Sequence, residues 1–328
     1  MRLILDTDPG NGVPGADIDD GLAIGLALAS PEVQLEAITV VAGNVPVDRG
    51  VACALEILEA AGVDDVPVHR GADRPLLQDP SGWRALLDDD RRDDERAQRL
   101  WKDVRARDLH TEAHPTPAAQ ALVEAVDAAP GEITLLAVGP LTNVATALLL
   151  DPDFDLKLER LVVMGGAFDH PNTLQELNFA YDPEATHKVL TSRVPMLVVP
   201  LDVTMQTYLT LSQVETIAQG GTPLASYLAE TTRPWVQFQA ERFERDGCPL
   251  HDPLALAALL DPEVISTRTA YADIELCGTL TRGRSVAWWP ERGGVFTTHD
   301  LPDIRPVEIA DGVDNERFLP LLLDRLTR

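Results

Sequence analysis

The opening of the chain confines what it can fold into. An apolar stretch at residues 3–5 runs into Asp6 and Asp8, and Asp17, Asp19 and Asp20 follow before the apolar sequence GLAIGLALA begins at Gly21. Arg2 is the one cation in that stretch. Two like charges ~4 Å apart repel by about 4 kcal/mol under surface-like screening. Carboxylates crowded beside a buried strand therefore require a bound cation, a shared proton or a positive ligand. The candidate ligands nearby are oxygens, with no Cys or His among them. That donor set favours a hard ion, Ca²⁺ or Mg²⁺, over zinc.

The remaining charge points the same way. Across 328 residues, 27 basic and 53 acidic side chains leave a formal charge of -26. Such a field repels phosphates, which argues against nucleic acid or an anionic membrane as partner. No apolar run approaches the ~18 residues that a bilayer span needs. Cys53, Cys248 and Cys277 are odd in number and far apart, with no CxxC spacing. That pattern suits a reducing compartment. The amino terminus opens on a strand without a cationic and then apolar leader, so a cytoplasmic protein is expected.

Strand-like and helix-like segments alternate along the chain. Strands are expected at residues 3–5, 35–41, 133–138, 161–164 and 196–199. Helices are expected at 20–29, 51–61, 118–128 and 143–150. The alternation predicts an α/β fold, a mostly parallel central sheet flanked by helices. From about Thr269 short alternating segments (TAYADIELC, RSVAWW, DIRPVEIA) predict an antiparallel C-terminal extension, and a helix at 315–326 closes the chain. No repeat or linker interrupts residues 1–328, so one domain is expected. It carries a mobile insertion near 81–114, where the mixed charges of DDDRRDDERAQR suit a solvated helix or loop. The same insertion could act as a lid, with Trp83, Trp101, His110 or His114 reaching inward.

In parallel sheets the chemistry lies beyond the carboxyl ends of the strands. Asp8, Asn44, Val138-Gly139 and Met164-Gly165-Gly166 all fall at such ends. Downstream, His251-Asp252-Pro253 opens an apolar helix, with Asp252 suited to the N-cap and Pro253 to the first helical position. The segment GGAFDHPNTLQELNFAYDPEA carries Asn172, Glu176 and Asn178, a density of amides and carboxylates that suits a hydroxyl-rich ligand.

Taken together and in order, DTDPG…DDGLAI, ITVVAGN, GADRPL, LLAVGPLTNVATAL, VVMGGA…NTLQELNFAYDPEA, VPLDVT and HDPLALAALLDP resemble the nucleoside hydrolase family, the inosine-uridine-preferring nucleoside N-ribohydrolases. The resemblance covers nearly the whole chain. It implies Ca²⁺ held by Asp8, Asp20, the Val138 carbonyl and Asp252. It places Asp19, Asn44, Met164, Asn172, Glu176 and Asn178 around the ribose of a small-molecule ribonucleoside. Asp8 becomes the base that activates a metal-bound water, and His251 the acid that protonates the leaving base. A homodimer or homotetramer is implied as well.

Two departures stand out. The family usually places one residue between DPG and DD, whereas NGVPGADI intervenes here. That loop could fold outward, or bring Asp17 or Asn11 into the coordination shell. After GADRPL the charge run and DLHTEAHPTP replace the family's usual glycine-containing signature. Two other readings compete. One is a non-catalytic nucleoside- or sugar-binding protein of the same fold. The other is a haloacid-dehalogenase-like phosphatase with Mg²⁺, Asp6 as nucleophile and Asp8 as acid. It requires a lysine at the site, and Lys102, Lys157 and Lys188 lie in no suitable loop.

Overall fold

A computed structural model describes residues 1–90, 94–104, 109–289 and 305–328. Its strands are β1 (Arg2–Thr7), β2 (Gln34–Val40), β3 (Val68–Arg70), β4 (Ile133–Ala137), β5 (Arg160–Met164), β6 (Met196–Val199), β7 (Tyr208–Leu209), β8 (Cys248–Pro249), β9 (Ile265–Ile274), β10 (Ser285–Trp288) and β11 (Val307–Val313). Nine of them form one sheet in the order β10-β9-β11-β6-β5-β4-β1-β2-β3, and β7 pairs with β8 separately. Strands β1 to β6 run parallel. The order reverses beside β1, which lies between β4 and β2. Such a switch point opens a crevice at the carboxyl edge of the sheet.

The two faces of β1 show how the layers form. Side chains alternate along a strand. Leu3 and Leu5 pack into one apolar layer, with the helices Asp19–Leu28, Val47–Ala61, Pro223–Phe243, Asp252–Leu260 and Asn315–Leu326. Ile4 packs into the other, with Ala118–Ala128, Thr142–Leu150 and Pro183–Leu190. Asp6 is fully buried, and its Oδ1 accepts from Thr39 Oγ1 of β2 at 2.5 Å and from Asn143 Nδ2 at 2.8 Å. Burial pushes this carboxyl up to about 7. Asp6 thus ties the first strand to its neighbour and to a covering helix. It sits below the cleft rather than in it.

The expected helices at 118–128 and 315–326 and the strand at 196–199 coincide with the observed bounds, and the others shift by a few residues. The C-terminal extension is antiparallel at β9, which pairs with β11, and at β10, which pairs with β9. Strand β11 instead runs parallel to β6, so the parallel part of the sheet reaches one strand further than expected. Edge strand β3 and the 21-residue helix Pro223–Phe243 have no counterpart in the sequence reading.

The charge-rich segment contains the short helices Ser81–Arg84 and Glu95–Leu100, with a wide-turn helix at Ala85–Asp90 following the first. Parts of the expected insertion, 91–93 and 105–108, lie outside the described residues. Among the described residues no helix is long and apolar enough to cross a membrane.

Leu22 lies on the first helix and is wholly buried in the apolar layer that also holds Leu3 and Leu5. Leu22→Ala should lower unfolding stability by about 2–5 kcal/mol. Urea titration should show an earlier midpoint at an unchanged slope.

Candidate active site

Loops leaving β1, β2, β4 and β5 converge on one cleft of about 230 Å³, which Asp19, Asn44, Val138, Met164, Glu176, Asn178, His251 and Asp252 help to line. Asp8 and Asp20 are fully buried, and hydrogen bonds to Asn44 tie both to the cleft wall. Local sequence explains the convergence. Thr7, the last residue of β1, donates to Asp20 Oδ1 at 2.5 Å, and the Asp8 N–H donates to the same oxygen at 2.9 Å. Asn44 closes the corner. Its N–H donates to Asp8 Oδ2 at 2.5 Å and its Nδ2 to Asp20 Oδ2 at 3.1 Å. Gly43 and Gly139 leave room for Asp8, since a Cβ at Gly139 would stand 2.7 Å from its Oδ1.

Asp19 joins distant parts of the chain. Its Oδ2 accepts the N–H groups of His251 at 2.7 Å and Asp252 at 3.0 Å. These are orphan donors at the start of the Asp252–Leu260 helix, where the macrodipole also favours a negative group. Capping roles differ from expectation here. His251 takes the N-cap, Asp252 is the first residue of the helix, and the Asp19 carboxylate accepts the N–H groups of both.

On the opposite wall Glu176 caps the Leu177–Tyr181 helix. It accepts from the N–H groups of Asn178 at 2.8 Å and Phe179 at 3.0 Å, and from Gly166 at 2.7 Å. Asn178 Nδ2 donates to the Val138 carbonyl at 2.6 Å and to the Met164 carbonyl at 3.2 Å, fastening the ends of β4 and β5 together. The Val138 carbonyl keeps a second lone pair.

Electrostatics dominate the site. Ligand oxygens from Asp19, Asp20 and Asp252 all lie within 4.8 Å of one another. Burial, and then the neighbouring carboxylates, push Asp8, Asp19 and Asp252 well above the usual carboxylate range. Burial raises Asp20 and Glu176 too, against the hydrogen bonds that favour their charged forms. Among the described residues no lysine or arginine lines the cleft. Arg84 comes near, donating to the Gly43 carbonyl. Asp8 Oδ1 is buried with no hydrogen-bond partner among the described residues. An all-oxygen, multiply anionic set with an unpartnered buried carboxylate oxygen fits a hard divalent cation.

His251 is half-buried at the cleft wall, and its Nδ1 shares a 2.7 Å hydrogen bond with Thr204 Oγ1. That bond fixes the ring plane. Burial lowers the imidazole pKa, partly opposed by the Asp17 charge. The sequence reading missed Thr204, Leu201 and Gln175. Leu201 and Gln175 line the cleft, and the signal available for Leu201 and Thr204 was the loop after β6 in VPLDVT.

The expected residues do not all gather here. Asn172 is exposed, adopts φ 61 and stands outside the cleft lining, because the turn at residues 170–173 carries it to the surface. Of the four aromatic and histidine candidates in the insertion, Trp83 lines the cleft and donates Nε1 to the Ala180 carbonyl at 3.3 Å. Trp101 is buried edge-on against Phe238, His114 packs on His69, and His110 sits at the surface beside Glu59. Asn11 is buried away from the cleft, and Asp17 lines the cleft but stands outside the Asp19–Asp20–Asp252 group.

Known proteins resemble this chain along nearly its whole length. The model of a family described as inosine-uridine preferring nucleoside hydrolase matches residues 3–320. A pyrimidine-specific ribonucleoside hydrolase of Salmonella arizonae is 32% identical, over 99% of this chain and 98% of that protein. Among solved structures, a plant nucleoside hydrolase superposes with a TM-score of 0.84 at 31% identity, covering 99% of this chain and 98% of its own. A purine-preferring ribonucleoside hydrolase from Gardnerella vaginalis gives 0.83 at 28%, covering 100% and 98%.

Carboxyl groups whose pKa is raised by folding hold a proton that the unfolded chain releases, so stability falls as pH rises through that window. In chelator at pH 8, Asp252→Asn should therefore melt about 2 °C or more above the parent protein, and the gap should narrow at pH 6. With calcium the order should reverse, since the parent gains a ligand that the variant binds poorly. Thermal unfolding under the four conditions checks the crossing.

Proposed function

The chain belongs to the inosine-uridine preferring nucleoside hydrolase family and is an N-glycosyl hydrolase of ribonucleosides; from that premise we propose that it works with Ca²⁺ and with Asp8 as general base. One observation carries the proposal. Asp19, Asp20 and Asp252 meet at the crevice beside β1, and Asp8, outside that group of three, keeps a buried oxygen without a partner among the described residues. Asp8, Asp20, Asp252 and the Val138 carbonyl would hold the ion. When bound, it would supply positive charge that orients the vicinal hydroxyls of the sugar and makes a water more acidic.

The residues divide the remaining work. Asp8 takes the proton of the attacking water, for which its buried oxygen without a partner among the described residues is placed. Asp19 has one oxygen tied to backbone N–H groups, and the other receives a ribose hydroxyl. Glu176, Asn178 and Asn44 complete the grip on the sugar, and Met164 packs beside it. Orientation of this kind lowers the entropic part of the barrier. Cleavage develops positive charge on the ring, as in other glycoside hydrolyses. The surrounding carboxylates favour that charge over the neutral ground state. His251, aligned by Thr204, protonates the departing base. A phosphatase reading loses its support, because no described lysine lines the cleft.

The named relatives include pyrimidine-specific and purine-preferring hydrolases at similar identity, so both base classes belong in the test. Cytidine, uridine, adenosine, inosine and a phosphate ester are incubated with the protein, with and without EDTA, and resolved by chromatography. Free base and ribose should appear, vanish with EDTA and return with calcium. Binding without product would overturn the proposal.

Asp8→Ala should lower turnover by about 10³-fold or more while circular dichroism stays that of a folded protein. Near-parental activity would remove Asp8 from the base role. His251→Ala should slow natural nucleosides by about 10²-fold or more. It should slow a p-nitrophenyl riboside much less, since that leaving group departs without a proton.

A further inference from the structure

The loop between Pro9 and Asp19 is built rather than slack. The Gly10 carbonyl accepts from Val13 N–H at 3.0 Å and the Val13 carbonyl from Ala16 N–H at 3.1 Å, giving two successive turns. Gly12 (φ 79) and Gly15 (φ 74) adopt the left-handed conformations that such turns need. Asn11 is buried, donates to Thr231 Oγ1 at 3.3 Å and receives the Cys53 thiol on its carbonyl at 3.2 Å. The loop is thereby pinned to the helices Val47–Ala61 and Pro223–Phe243.

This anchoring aims Asp17 at the cleft. Its Oδ1 accepts the Ile18 N–H at 2.8 Å, and the other oxygen takes no hydrogen bond from any described residue. Asp17 lines the cleft together with Trp83, Gln175 and His251. Asp17 shares the cleft lining with His251, and its charge acts on His251 as well as on Asp19, Asp20 and Asp252. Under the function proposed above, the His251 wall is where the base departs.

An ionised carboxylate only accepts hydrogen bonds. It therefore complements an N–H₂ group and repels a carbonyl oxygen in the same place. We propose that Asp17 is a specificity-determining residue that accepts a hydrogen bond from the exocyclic amino group of the base, so that the enzyme prefers amino-substituted over oxo-substituted ribonucleosides. The inference rests on the ribonucleoside hydrolase reading of the same cleft. Sites built to pair with a polar group discriminate strongly against analogues that leave it unpaired.

Steady-state kinetics on two pairs, cytidine with uridine and adenosine with inosine, tests the idea. Each pair exchanges amino for oxo at one ring position and, with it, an unprotonated neighbouring ring nitrogen for an N–H. The parent should favour the amino member in kcat/KM by about tenfold or more. Asp17→Asn, whose amide can also donate, should cut that ratio at least tenfold, chiefly through KM. Asp17→Ala should cut it as well. The calcium-induced rise in melting temperature should persist in both variants, since Asp17 stands outside the ion's ligands.

A parent preference for the oxo members would overturn the inference without recourse to any variant. So would a ratio unchanged by substitution, or equal loss on all four substrates, which would place Asp17 on the sugar. In each of those cases base release still proceeds and the hydrolase reading stands. Absence of base release from all four substrates by the parent would instead overturn both.

Discussion

One carboxylate holds the site together. Asp19, at the start of the first helix, accepts the N–H groups of His251 and Asp252, which lie 232 and 233 positions further along the chain. The contact joins the amino-terminal acidic loop to the start of a late helix and so creates the cleft between them. It places three buried carboxylates within reach of one ion, an arrangement that is costly on its own. Backbone N–H donors offset part of that cost, and a bound metal ion would offset the rest.

The sheet makes this contact possible. Strand β1 lies at the reversal of strand order, so the loops leaving it have open space above the sheet. Asp6, buried beneath, locks β1 to β2 and to the Thr142–Leu150 helix through Thr39 and Asn143. Thr7 and the Asp8 backbone then orient Asp20, and Asn44 orients Asp8 and Asp20 together. Each carboxylate of this corner is aimed by a partner from a different strand or from the loop that follows one. Rigid aiming of that kind is what a hydrolytic site requires, because misplacement by about 1 Å is enough to cost orders of magnitude in rate.

Much of the site was legible because strand ends are legible. A short apolar run that stops at Asp8, Asn44, Val138 or Met164 identifies a position at the carboxyl edge of a parallel sheet, and all four meet at or just below the cleft. Asn172 was not legible, because the path of a turn with a left-handed residue depends on what packs beneath it. Trp83 and Trp101 look alike in a charge-rich segment, yet one reaches the cleft and the other is buried against Phe238. Strand β11 reads as an alternating segment like β9 and β10. Its parallel pairing depends on β6, its neighbour in space, which lies more than a hundred residues earlier.

The amino-acid sequence by itself determined the alternation of strands and helices, the crowding of acid after the first strand, and the oxygen-only chemistry of the donors. These follow from local periodicity, composition and the order of residues, which act over a few positions. Tertiary structure alone decided that Asp19 bridges to the 251–252 backbone, that Asp17 turns toward the cleft while Asn11 turns away, and that Asn172 stays at the surface. Those outcomes depend on which buried N–H groups and apolar faces meet across long sequence separations, and only the packed sheet and its helices bring them together.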